Sequence, residues 1–145
     1  MNREQGLEGR REAGFTLMEM LVVLVVIALI AAVAVPQVMR MLESAKTRAA
    51  RIQLDTVGQA LNFYQLDNEA YPTAEQGLAV LIEAPEGLDS WTGPYLRREQ
   101  QLKDPWGRPL IYASPSGDKA FTLRTLGADG AEGGSGEDRD VEVSE

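Results

Sequence analysis

Gly14-Phe15-Thr16-Leu17-Met18-Glu19 opens an apolar run that continues to Val35, and between Phe15 and Met39 the only charged side chain is Glu19. A run of this length crosses a hydrocarbon core of about 30 Å as a helix. A carboxylate on such a segment costs roughly 2.5–3.5 kcal/mol at the bilayer centre, and less toward the interface. Something must offset it. If the chain is cut between Gly14 and Phe15, the new α-ammonium stands four residues before Glu19. That spacing is one helical turn, so the two charges can meet within one chain or between neighbours.

A single-span anchor with a stray acid, or an ordinary secretory signal, shares the apolar run. Ordinary signals are cut after their apolar core, at a small-residue site. Here the plausible junction precedes the core, so the core stays with the mature chain. Arg3, Arg10 and Arg11 lie on the short N-terminal side. They predict that this side stays cytoplasmic and that the bulk of the chain lies outside.

The chain has 145 residues and a net charge of −8. Removing 1–14 takes away three Arg and three Glu, which leaves that charge unchanged. Beyond the apolar helix roughly a hundred residues remain, enough for one small domain. The negative balance argues against nucleic acid as a partner, because phosphate binding needs clustered Lys and Arg. There is no Cys and no His. That removes disulfides, thiol nucleophiles, the usual zinc sites and imidazole bases. Any fastening of the domain must come from packing or from a hard metal.

Pro36 removes a backbone donor and is expected to bend or loosen the helix. Helical spacing resumes at once. Val38, Leu42, Ala45, Ala49 and Ile52 form one stripe; Leu54, Val57, Leu61 and Tyr64 form another. The pattern predicts one long helix from about Thr16 to about Leu66. Two stripes suggest two neighbours, the chain's own domain and another subunit, although one wide core-facing stripe fits the pattern equally well. Asp67-Asn68-Glu69 ends the helix. Thr73-Ala74-Glu75-Gln76 is a capping-box pattern, predicting a short helix to Glu83 with Leu78, Leu81 and Ile82 on one face. Leu110-Ile111-Tyr112 and Phe121-Thr122-Leu123-Arg124 read as strands joined by a turn at 114–118. Trp91, Tyr95, Trp106 and Tyr112 read as core and loop anchors. The expected class is α+β: a long helix, membrane-spanning in its first half, on a small antiparallel sheet.

From 129 to 140 the chain runs Asp-Gly-Ala-Glu-Gly-Gly-Ser-Gly-Glu-Asp-Arg-Asp. Glycines let the backbone turn tightly and aim carbonyls inward between carboxylates. Calcium takes about six to eight oxygens of both kinds, at roughly 2.3–2.6 Å. The spacing is not that of an EF-hand. From the residues alone, a solvated acidic tail fits as well.

The stretch Gly-Phe-Thr-Leu-x-Glu before a long apolar helix resembles the signal of type IV prepilins and of type II secretion pseudopilins. The resemblance implies that a membrane peptidase cuts after Gly14 and methylates Phe15, and that Glu19 serves subunit assembly. Further blocks resemble the major pseudopilins of type II secretion, in family order: Tyr71-Pro72-Thr73-Ala74-Glu75-Gln76-Gly77-Leu78, Gly93-Pro94-Tyr95-Leu96, Asp104-Pro105-Trp106-Gly107-Arg108-Pro109 and Leu126-Gly127-Ala128-Asp129-Gly130. They imply a pilin-like fold with a leader at 1–14, an assembly helix at 15–36 and a periplasmic domain at 37–145. Within that domain the amphipathic helix reaches about 67, a variable region covers 68–108, and the sheet and acidic loop cover 109–145.

The same resemblance implies one structural Ca2+ in the acidic loop. Leu126 would supply a carbonyl, Asp129 and Asp140 carboxylates, and Asp138 is a weaker candidate, with carbonyls near Gly136 completing the shell. The family commonly carries an aromatic residue past the final Asp, whereas this chain runs Val141-Glu142-Val143-Ser144-Glu145. The implied subunit sits in the bacterial inner membrane, contacts lipid, and then joins a helical homo-oligomeric fibre. Its partners are minor pseudopilins, the inner-membrane secretion platform and the prepilin peptidase/methyltransferase.

Four other readings remain at this point. A minor pseudopilin is one, although such subunits usually differ more at the Asp-Pro-Trp-Gly and Leu-Gly-Ala-Asp-Gly blocks. A type IV pilin commonly closes its C-terminal loop with a disulfide, which this chain cannot form. A membrane-anchored periplasmic binding module would line a ligand site with Trp91 and Trp106. An enzyme would use a carboxylate pair such as Asp138 and Asp140, but these lie in a glycine-rich segment with no nucleophile motif beside them.

Overall fold

A computed structural model describes residues 15–116, 118 and 120–145, so the predicted cleavage residue Gly14 lies outside the described residues. The chain divides into two units, Met1–Met39 and Arg40–Glu145. Helix α1, Leu17–Asn68, contributes to both. Thr16 starts it: its hydroxyl accepts the backbone N–H of Glu19 at 3.1 Å, and its carbonyl accepts that of Met20 at 3.2 Å. One of the orphan donors of the first turn is thereby satisfied. In the first unit the helix is long and apolar enough to cross a membrane. Pro36 lies inside the helix without ending it, since the helical pattern is unbroken on both sides.

In the second unit α1 is the floor of the core. Ala50, Leu54, Val57, Leu61 and Tyr64 are buried there, against Leu81, Leu96, Phe121, Leu123 and Val141. The two stripes therefore have different fates. The one through Leu54 and Tyr64 is buried in the domain's core. The stripe through Val38, Leu42, Ala45, Ala49 and Ile52 is exposed, with Ile52 at 67 %. The single wide core-facing stripe is thus excluded.

After the helix, Glu69 adopts φ 59°, a left-handed conformation that breaks the helical path. The Asn68 side chain donates to the Tyr64 carbonyl at 2.8 Å, satisfying one of the last turn's acceptors. The capping box forms as expected: the Thr73 N–H donates to Gln76 Oε1 at 2.9 Å, and the Gln76 N–H to Thr73 Oγ1 at 3.2 Å. It opens a turn rather than an α-helix. Gly77 takes φ 58°, which no α-helix accommodates, and the chain continues as a 3-10 helix over Gly77–Leu81. Leu78, Val80 and Leu81 are buried, while Ile82 is half-buried.

Among the described residues the sheet has three antiparallel strands in the order β1-β2-β3: β1 is Ile111–Ala113, β2 Thr122–Thr125 and β3 Val141–Ser144. Tyr112 lies opposite Leu123, and Leu123 opposite Val143. Two strands were expected and a third is present. The segment Val141-Glu142-Val143-Ser144 alternates apolar and polar residues, which is the strand signal. It follows directly on the acidic run at 129–140 and lies in the region where a sheet was expected without its strand being picked out.

Candidate functional site

Two places carry the residues singled out from the sequence. At the start of α1, Phe15 and Glu19 are exposed, and Glu19 lies in the first turn. A carboxylate there faces the positive end of the helix dipole, worth about 0.3–1 kcal/mol. Thr16 belongs with them, and sequence reasoning overlooked it. Thr16 and Glu19 stand at capping-box spacing, and Thr16 takes the N–H of Glu19.

The second place is the acidic loop joining β2 to β3. The Leu126 carbonyl accepts the Gly130 N–H at 3.0 Å. The exposed Asp129 turns one oxygen, Oδ1, to the N–H of Ala131 at 3.0 Å. Asp140 bridges across the loop: its Oδ2 accepts the N–H of Gly133, and its own N–H donates to the Gly133 carbonyl, both at 3.2 Å. Asp138 is exposed, at the end of a 3-10 turn, Gly136–Asp138, and its backbone carbonyl packs on Gly127 and Gly134. A Cβ at either glycine would collide with that carbonyl, and both have positive φ, so only glycine closes the loop in this way. Outside, Arg124 and Glu132 form an ion pair at 2.7 Å.

Asp140 Oδ1 is buried and has no hydrogen-bond partner. A buried carboxylate oxygen without a partner is costly. The loop itself offers carboxylates and backbone carbonyls and no nitrogen or sulfur ligand, a chemistry that suits a hard cation. Among the described residues no three acidic side chains gather at one point. Leu126, Asp129 and Asp140 lie on one connection without being drawn together at one point, and Asp138 meets Gly127 and Gly134 through its main chain.

Behind the loop lies a polar hub built from the block at 104–109, whose bonding the sequence alone does not show. The carboxylate of Asp104 is buried and bonded to Arg108, Trp106 and Thr125. Trp106 donates its indole N–H to Glu43 of α1, and Trp91 donates its own to the Val80 carbonyl at 2.8 Å. Tyr112 donates to the Pro72 carbonyl at 2.7 Å, and burial pushes its hydroxyl up to about 12. Tyr95 donates to Asp67 at 2.8 Å. The aromatic residues therefore serve as anchors, as expected, and both indole N–H groups are taken up inside the domain.

Two protein families match successive parts of the chain. The family model for the prokaryotic N-terminal methylation motif matches residues 9–35. That for the type II secretion system protein G matches residues 37–144. A type II secretion system core protein G of Pseudomonas aeruginosa is 41 % identical over 138 residues, covering 93 % of this chain and 96 % of the relative. That of Vibrio cholerae is 38 % identical over 135 residues, 91 % of each. The crystal structure of the major pseudopilin from the type 2 secretion system of enterohaemorrhagic Escherichia coli superposes with a TM-score of 0.53 at 29 % identity. It covers 72 % of this chain and 90 % of that one. A long N-terminal helix on a small antiparallel sheet, preceded by a methylation signal, defines the pilin-like class. Within that class the chain belongs to the type II secretion system protein G family.

Proposed function

We propose that this chain is the repeating subunit of a type II secretion pseudopilus, waiting in the inner membrane as a single-span protein before it enters a helical fibre. The observation that carries the reading is the split of α1 into a face that builds the subunit's own core and a face left exposed along its length. Exposed apolar surface of this extent calls for lipid or for other helices. Lipid supplies the cover around residues 15–35 before assembly, and neighbouring copies supply it in the fibre. Cleavage after Gly14 exposes the α-ammonium of Phe15. In an apolar fibre centre the charge of Glu19 is tolerable only when neutralised, and the Phe15 amino group of an adjacent subunit is the partner. The role is structural: the fibre's growth from the inner-membrane platform moves folded proteins outward.

Calcium belongs to the same reading. Asp129, Asp140 and the Leu126 carbonyl would hold it, with the Asp138 neighbourhood completing the set, and the buried unpaired oxygen of Asp140 supports this assignment. The ion would supply positive charge that fastens the connection between β2 and β3 in a domain without disulfides.

Intact mass and N-terminal sequence of the chain purified from its native membrane test the reading. A methylated Phe15 as first residue is the expected result. A chain that keeps residues 1–14 in a cell with an active prepilin peptidase, or one cut after Val35, would overturn it.

A further inference from the structure

The side chain of Asp104 is 1 % exposed and makes a full set of bonds. Its Oδ1 accepts the N–H groups of Trp106 at 3.0 Å and Arg108 at 2.8 Å. Its Oδ2 accepts Arg108 Nε at 3.1 Å and the hydroxyl of Thr125, the last residue of β2. The guanidinium held in this way has a second task. Arg108 Nη2 donates to the carbonyl of Gly127, and Nη1 occupies the space that a Cβ at Gly130 would need. Gly127 directly follows the Leu126 carbonyl and Gly130 directly follows Asp129, within the turn that the Gly130 N–H closes on Leu126.

We propose that Arg108, clamped by Asp104, is a positioning residue for the acidic loop: it sets the turn at 126–130 in place before a divalent cation binds, and so raises the loop's affinity for that ion. The inference rests on the reading that the loop holds calcium. A glycine-rich turn is mobile unless tied, and ordering it at the moment of binding weakens affinity. Here the ordering happens during folding, through a bond from a group fixed elsewhere in the core. The planar fork of arginine reaches Asp104 and Gly127 together, which a lysine ammonium does less well. A guanidinium beside a cation site would ordinarily repel the ion. The buried carboxylate of Asp104 offsets that charge.

The test is calcium titration of the full processed chain in detergent micelles, with Kd from calorimetry and amide exchange at residues 127–130 followed in chelator. Groups that orient metal ligands typically change affinity by about 10–100-fold when removed. Arg108→Gln is expected to weaken calcium binding by about that factor and to speed exchange in the turn. Arg108→Lys should recover part of the affinity. A Kd within twofold of wild type in Arg108→Gln, even with a lower melting temperature, would reduce the pair to a stabilising contact and overturn the inference. If Arg108→Gln does not fold, Thr125→Val removes only the hydroxyl that steadies Asp104. It should give a smaller loss in the same direction, and an unchanged Kd there overturns the inference equally. Wild-type chain that binds no calcium would instead remove the reading beneath it, a result visible before any variant is made.

Discussion

Trp106 donates its indole N–H to Glu43 at 3.1 Å, joining residues 63 apart in sequence. Lys46, one turn further along α1, donates to the other oxygen of the same carboxylate at 2.9 Å. The Lys46 hydrogen bond first, and then that of Trp106, hold Glu43 below its ordinary value near 4.5. At the far end of the helix, Thr92 and then Tyr95 hold Asp67 below its ordinary 3.8 in the same way. The Asp-Pro-Trp-Gly segment and the loop around Tyr95 are thus each tied to α1 through a carboxylate.

These ties make stability depend on pH with a definite sign. A carboxyl whose folded pKa is depressed adds stability that is complete above its unfolded value and disappears as pH falls through the folded one. Melting temperatures of wild type, Glu43→Gln and Asp67→Asn should therefore differ most near neutral pH. The gaps should close as pH falls from about 5 toward 3. Gaps of constant size across that range would mean that the carboxylate charge is not what these contacts use.

Leu54 and Ile52 stand two residues apart on opposite faces of α1, at 0 % and 67 % exposure. Leu54→Ala should destabilise the domain by about 2–5 kcal/mol. Ile52→Ala should change stability by no more than about 0.5 kcal/mol. Urea unfolding of the two variants measures both. Ile52→Asp should keep the fold and reduce the yield of sheared fibres, because its face is the one assigned to neighbours. Fibre yields equal to wild type would remove Ile52 from that contact.

Glu19→Ala is expected to leave membrane insertion and cleavage largely intact and to block fibre growth. The helix retains the Thr16 carbonyl bond to Met20 at its start, so the loss should be one of assembly rather than of folding. Membrane fractionation, N-terminal sequencing and fibre counts separate the three steps. Normal fibres would sink the proposed pairing with Phe15.

Chelation should lower the melting temperature of the wild-type domain and expose the acidic loop to proteases. An ion present at a hundredfold over its Kd contributes about 2.7 kcal/mol. In a domain of this size that amounts to a shift on the order of 10 °C. Asp140→Ala should melt at one temperature with or without calcium. A wild type indifferent to chelator would end the structural-calcium assignment.

How far the sequence carried differs by element. The core-facing stripe through Leu54, Val57, Leu61 and Tyr64 was legible because its spacing is helical and its neighbours are polar. The capping box of Thr73 and Gln76 was legible because it is a local pattern. What followed it was not, since a single left-handed Gly77 decides between an α-helix and a 3-10 turn. Strand β3 was hidden by composition: its alternation covers only four residues and adjoins a run of acids and glycines. Thr16 stands three residues before Glu19 at capping-box spacing, a local pattern that is legible in the sequence. Asp104 and Arg108 were legible only as part of a family motif. That Arg108 reaches Gly127, 19 residues further on, depends on tertiary structure that no local spacing encodes.

The acidic loop is also the hinge pin of the sheet's outer strand. It alone connects β2 to β3, and β3 covers the full length of β2 from Thr122 to Thr125. A subunit whose loop stands open would bare the rim of β2, a row of unpaired amides and carbonyls that other chains can copy. A closed loop keeps that rim covered, so the strand edge turned outward is β3 rather than β2.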